Sequence, residues 1–204
     1  MTDPQLKIAA LISGAGRTIR SLQESIDLQE IPARIDVVIA HDETIPGVER
    51  CREIGLKVEI VPGARGARTS DLIDRILLDH GSDLICLCGY LRKFRVGSRW
   101  RNRVVNIHPA LLPDFGGRGM YGQRVHEAVI ASGHSRSGCT VHWVDEEYDH
   151  GEHIIQKSCP VHATDDAGTL ADRVFELECS CYPEALRMIA ESRMGAAAGK
   201  ATGR

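Results

Sequence analysis

Asn106 and His108 stand two residues apart in Arg103-Val104-Val105-Asn106-Ile107-His108-Pro109. The apolar residues around them read as a strand, and period two puts both side chains on one face. Pro109 cannot donate to a ladder, so the strand ends there. An amide beside an imidazole suits acyl transfer. The amide can bond a developing oxyanion, and the imidazole exchanges a proton near neutral pH. A lone Asn-x-His also reads as a polar pair closing a strand. A second candidate is the turn Gly14-Ala15-Gly16-Arg17-Thr18. Free amides at a helix start attract anions, glycines permit close approach, and Arg17 or Thr18 adds a donor. A full dinucleotide fingerprint would need a third glycine where Ile19 stands, so the turn reads as a phosphate site or as a tight βα connection. A third is the acidic stretch Val144-Asp145-Glu146-Glu147-Tyr148-Asp149-His150-Gly151, which follows a strand carrying His142. A carboxylate next to an imidazole favours the imidazolium. The sequence alone leaves open which acid turns inward, and such a run also reads as a solvated loop.

These groups need a scaffold that brings strand ends together. Leu6 to Ile12 is an apolar run closed by the glycine turn, followed by Ile19, Leu22 and Ile26 at helical spacing. Ile35 to Ala40, Lys57 to Val61, Leu84 to Cys88 and Val104 to His108 read as further strands. A short helix is expected from Pro46 to Ile54, and another capped by Thr69 or Ser70. Strands alternating with helices predict an α/β, Rossmann-like, mostly parallel twisted sheet with helices on both faces. Cys139 to Val144 and Ile154 to Val161 complete the strands. Ala167 to Arg193 reads as a long helix that Pro183 breaks or restarts. One domain over residues 1–194 is expected, with 195–204 as a flexible tail.

The 204 residues suit one such domain, and 43% hydrophobic with 26% charged residues is ordinary for a globular chain. A net charge of −3 gives no basic field for nucleic acid or anionic membrane. No apolar run is long enough to cross a bilayer, and Met1 to Lys7 does not read as a signal peptide. Seven cysteines, an odd number, read as reduced thiols of a cytoplasmic protein. Cys86/Cys88 and Cys179/Cys181 lack the matched pairs of a zinc site, so no metal is expected.

Several segments together resemble the glycinamide ribonucleotide formyltransferase family over residues 7 to about 190. They are Leu11-Ile12-Ser13-Gly14-x-Gly16, Leu87-Cys88-Gly89-Tyr90-Leu91-Arg92, Asn106-Ile107-His108-Pro109-Ala110-Leu111-Leu112-Pro113, Gly138-Cys139-Thr140-Val141-His142 with Asp149, and Glu178 with Tyr182-Pro183. The resemblance implies direct transfer of a formyl group, through a tetrahedral intermediate, from 10-formyltetrahydrofolate to the amine of glycinamide ribonucleotide in purine biosynthesis. Asn106 would bond the formyl oxygen, His108 would be the acid/base, and Asp149 would hold His108, directly or through water. Gly14, Gly16, Arg17 and Thr18 would hold the substrate's phosphate, and Glu178 would contact the nucleotide. Arg68, Leu91, Arg92, Lys93 and Phe94, with Asn106, would meet the folate. Small-molecule partners and a monomer or homodimer follow from the same resemblance. The chain departs from the family pattern at Arg17-Thr18, where Ser-Asn is usual, and in the loop 114–123, where the family commonly carries a histidine; the nearby His126 either replaces it or does not. Arg17 would strengthen phosphate binding or obstruct it. Alternatives are a formyltetrahydrofolate hydrolase, a formyltransferase acting on another amino sugar, and a non-catalytic Rossmann-type nucleotide-binding module.

Overall fold

The computed structural model describes residues 5–62 and 67–201, without the side chains of 67, 68 and 196–201. Its strands are β1 (Leu6–Ile12), β2 (Ala33–Ala40), β3 (Val58–Ile60), β4 (Leu84–Leu87), β5 (Val104–His108), β6 (Arg136–Trp143) and β7 (His153–Pro160). Its helices are α1 (Arg17–Asp27), α2 (Pro46–Glu53), α3 (Ala67–Asp79), α4 (Gln123–Ser132) and α5 (Ala167–Ala201). The strands form one sheet in the order β3-β2-β1-β4-β5-β6-β7. The pairings from β3 through β5 are parallel, and β5·β6 and β6·β7 are antiparallel.

Continuous apolar strands carry this arrangement, because a strand covered on both faces has no polar side. From β1, Ile8, Ala10 and Ile12 enter the core beneath α1, α2, α4 and α5, while Ala9 and Leu11 enter the core beneath α3. The chain runs outward from β1 to β2 and β3, then crosses back to β4 on the other side. That reversal opens a crevice at the carboxyl ends of β1 and β4, where open α/β sheets take their ligands. The Leu91 amide donates to Ser13 Oγ at 3.1 Å across this crevice.

Two elements differ from the sequence-based expectation. α5 passes through Pro183 without ending and continues beyond Arg193 to Ala201. Proline there removes one ladder bond, but the helix is held on both sides of it by buried Tyr182, Ala185, Leu186 and Ile189. The Tyr182 hydroxyl lies 3.1 Å from the Val105 carbonyl and 3.3 Å from that of Leu87, tying α5 to the sheet. α3 already begins at Ala67, so Thr69 and Ser70 lie in its first turn rather than before it.

Candidate active site

β5 places the chemistry. Val105 and Ile107 are in the core under α5, and Val104 is in the core on the opposite face. Asn106 and His108 continue the Val104 side at the strand's carboxyl end. Antiparallel pairing sets Asn106 opposite His142 and His108 opposite Thr140, so four polar side chains share one patch of sheet. His108, Thr140 and His142 are buried, while Asn106 keeps partial access to solvent.

Hydrogen bonds fix the orientation of these groups. His142 Nδ1 lies 2.9 Å from the Trp143 carbonyl, which only accepts, so Nδ1 carries the proton. His142 Nε2 is then free to accept, and the Asn106 amide nitrogen lies 3.2 Å away. This leaves the second amide hydrogen of Asn106 for a ligand. Asp149 is the acid that turns inward. Its Oδ2 lies 3.5 Å from His108 Nδ1 and its Oδ1 lies 3.6 Å from His142 Nε2. The Gly117 amide donates to Asp149 Oδ2 at 3.0 Å. The neighbouring acids face elsewhere: Asp145 pairs with His150 at 2.9 Å, and Glu146 accepts from the Gly97 amide at 3.0 Å.

The loop after β5 closes over this cluster. His108 Nε2 donates to the Phe115 carbonyl at 2.8 Å. A Cβ at position 116 would meet Leu112 Cδ2 at 2.5 Å and Asp149 Cβ at 3.3 Å, so the glycine lets the loop lie beside Asp149 without moving either side chain. Thr140 pins the other end of the loop. Its hydroxyl donates to Ala110 O at 2.7 Å and accepts from the Leu112 amide at 3.1 Å, and Gln156 donates to both Leu112 O and Thr140 Oγ1 at 2.9 Å. His142, Thr140 and the Phe115 carbonyl were missing from the expected site. The first two were findable, since Thr-x-His on the next strand answers Asn-x-His once antiparallel pairing is known.

Burial pushes the His108 imidazole below its usual range, and Asp149 and the Phe115 carbonyl pull it back up. Burial opposes the charge of Asp149, yet His108 and the Gly117 amide hold it below the ordinary carboxylate range. His126, on α4, is buried with Nδ1 unpaired. Burial, with His108 nearby, drives it down to about 4, so it stays neutral at physiological pH.

The glycine turn leads into α1 from the end of β1. Gly16 adopts the left-handed conformation at the helix start, with no side-chain cap and no acid in the first turn. Gly47 of α2 packs against this turn so closely that a Cβ there would sit 2.5 Å from the Gly14 carbonyl. Arg17 extends from the turn to α5, where its guanidinium lies 4.2 Å from the centre of the Phe175 ring. Glu178 lies one helical step further along α5. Burial pushes its carboxyl up to about 7, and Arg17 pulls the other way. The native state therefore binds more protons than the unfolded chain between about pH 4.5 and 7, and stability is lost as pH rises through that window. We expect Glu178→Gln to melt a few degrees above the wild type at about pH 8 and to match it near pH 5. An offset that does not change with pH in thermal melts would contradict this.

Leu91, Arg92, Lys93 and Phe94 follow β4 on the other side of the crevice. Leu91 is exposed, and Lys93 lies 5.8 Å from the Tyr148 ring, joining this segment to the acidic turn. Phe94, expected beside the folate, turns its ring into the core with Leu87, Val96 and Trp100, because the segment must cover that face of the sheet. A ligand contact at 94 would run through backbone. Arg68 lies outside the described side chains. Among the described residues, no group of three or more His, Cys, Asp or Glu is arranged to hold a metal ion. No described helix is long and apolar enough to cross a membrane.

Residues 6–186 match the formyl transferase family. The chain is 36% identical over 195 residues to phosphoribosylglycinamide formyltransferase, chloroplastic, of Arabidopsis thaliana, covering 92% of this chain and 66% of that protein. It is 37% identical over 200 residues to the same-named protein of Vigna unguiculata, covering 95% of this chain and 64% of that protein. The chain thus spans just under two thirds of the length of these plant relatives. Among solved structures, glycinamide ribonucleotide transformylase 1 from Symbiobacterium toebii superposes with a TM-score of 0.86 at 34% identity, over 93% of this chain and 89% of that one. With its parallel half-sheet, its Asn-x-His strand end and its inward-facing aspartate, the chain belongs to the formyl transferase family, among the phosphoribosylglycinamide formyltransferases.

Proposed function

We propose that the chain transfers a formyl group from 10-formyltetrahydrofolate to the amine of glycinamide ribonucleotide. The observation that carries this reading is the Asn106–His142 contact at 3.2 Å beside the His108–Asp149 contact at 3.5 Å. One aimed amide donor and one proton-exchanging imidazole thus flank a single position. The phosphate sits at the Gly14–Thr18 turn, where amides at the start of α1 are uncapped. Glu178 faces the nucleotide from α5. The folate lies between residues 91–94 and the acidic turn, and the family resemblance adds Arg68 as a further contact.

The amine nitrogen attacks the formyl carbon, and the oxygen becomes an oxyanion that accepts from the free Asn106 amide hydrogen. The attacking nitrogen gives up a proton as the carbon–nitrogen bond to the folate breaks, and the leaving folate nitrogen gains one. His108 handles this exchange, with Asp149 stabilising the imidazolium that forms. The Phe115 carbonyl occupies Nε2 in this structure, so it withdraws when substrate enters, a loop movement of the kind that commonly completes active sites. Both substrates held in line need no covalent enzyme intermediate. Seven free thiols, most of them buried, suit a reducing, cytoplasmic compartment.

Mixing the purified chain with the formyl folate, with and without glycinamide ribonucleotide, tests the assignment. Folate release that requires the ribonucleotide is expected. Equal release without any amine would make the chain a hydrolase and defeat the reading.

A further inference from the structure

Arg17 occupies a position that uncapped backbone alone could serve, and it has an unusual environment. Asp172, Phe175 and Glu178 recur every three residues on α5 and so form one stripe facing the start of α1. The Arg17 guanidinium lies 4.2 Å from the Phe175 ring centre and 3.8 Å from Asp172 Oδ1. On the inner side is the half-buried carboxyl of Glu178, close enough for Arg17 to influence its protonation. A serine in this place, as in the turn Ser-Asn, has no reach to α5.

Resting on the ribonucleotide reading above, we infer that Phe175 positions Arg17 as a clamp for the phosphate monoester of the substrate, with Asp172 as the partner it gives up. A guanidinium lying on an aromatic face is attracted by the ring while its edge N–H donors stay free in the plane. Those donors match two oxygens of a phosphate. Asp172 is the resting partner. Its side chain is 80% exposed and that of Arg17 is 55% exposed, so the pair is weakly held. A phosphate dianion at the start of α1, with the helix dipole behind it, displaces it. Arg17 therefore assists binding at the turn, and the route it takes is set by Phe175. This makes the contribution of Arg17 depend on an aromatic residue more than 150 positions away in sequence.

The arrangement distinguishes phosphorylated from unphosphorylated ligands, and calorimetry on the full chain measures the difference. Ribose 5-phosphate is the probe, against wild type and Phe175→Leu, Phe175→Tyr, Arg17→Lys and Asp172→Asn variants. Phe175→Leu is expected to weaken ribose 5-phosphate about three- to fivefold, and Phe175→Tyr, which keeps the stacking face, to restore it. Arg17→Lys keeps the charge and loses the planar fork, so it resembles Phe175→Leu. Asp172→Asn removes the competing carboxylate and tightens binding. In turnover assays the Phe175→Leu defect appears in KM for glycinamide ribonucleotide, with kcat changed less than twofold, whereas general misfolding would lower kcat. Equal affinity in wild type and Phe175→Leu, or a Tyr variant no better than Leu, overturns the clamp and leaves the substrate reading standing. A wild type that binds neither ribose 5-phosphate nor the ribonucleotide overturns the substrate reading and the clamp with it.

Discussion

Asn106→Ala is expected to lower kcat by about 100-fold or more and to leave the affinity for formyl folate nearly unchanged. The asymmetry follows from where the donor points. One amide hydrogen is committed to His142 Nε2, and the other faces the partly open side of the cluster. In the ground state the formyl oxygen is a weak acceptor, and in the tetrahedral intermediate it carries full charge. A preset donor therefore contributes about 3–4 kcal/mol to the transition state and little before it. Asn106→Asp is expected to be at least as damaging, because it replaces the donor with an acceptor and a like charge beside Asp149. Pre-steady-state binding and turnover measured on the same preparation separate the two effects. A variant that binds folate normally and turns over at near wild-type rates would remove Asn106 from the chemistry.

His108→Ala is expected to lose about 100- to 10,000-fold in turnover, the range associated with a positioned acid/base. Its pH behaviour is the sharper test. Burial lowers the His108 imidazole from its usual value, so the neutral base predominates above that lowered value. The kcat/KM profile of the wild type is expected to fall only as the pH drops below about 6.5. Asp149 raises the His108 value, so Asp149→Asn moves this acidic limb to still lower pH while reducing the plateau rate. A limb that moves upward in Asp149→Asn, or that persists unchanged in His108→Ala, would assign the titration to another group. His126 is a poor substitute, since burial holds it down to about 4 and away from the working range.

Much of the parallel half of the fold is legible in the sequence because its signals are local. Leu6–Ile12 has no polar face to give to solvent, Gly14 and Gly16 punctuate it, and Ile19 and Leu22 follow at helical spacing into the same core. The pairing of Asn106 with His108 follows from the strand period alone. What escaped depends on contacts across the chain. Pro183 reads locally as a helix breaker, but Tyr182 and Ala185 beside it are anchored in the sheet, and burial outweighs one missing hydrogen bond. Asp149 could not be chosen from four nearby acids by composition. The choice is made by a left-handed backbone at Asp149, φ 54°, and by the glycine loop that lies against it. His142 was visible as a residue and not as a participant. Its part depends on a tautomer fixed by the neighbouring Trp143 carbonyl. The Phe115 carbonyl has no side-chain signature at all, so only a folded loop reveals that it bonds His108.

The central claim is that formyl passes directly from folate nitrogen to substrate amine within the Asn106–His108–Asp149 cluster. An isotope label in the formyl carbon of the folate, followed by NMR through a single turnover with glycinamide ribonucleotide, tests it most directly. The account predicts that the label appears in the formamide of the ribonucleotide product, with no free formate accumulating first. Label found in formate, or a product formed only after formate is released, would contradict it.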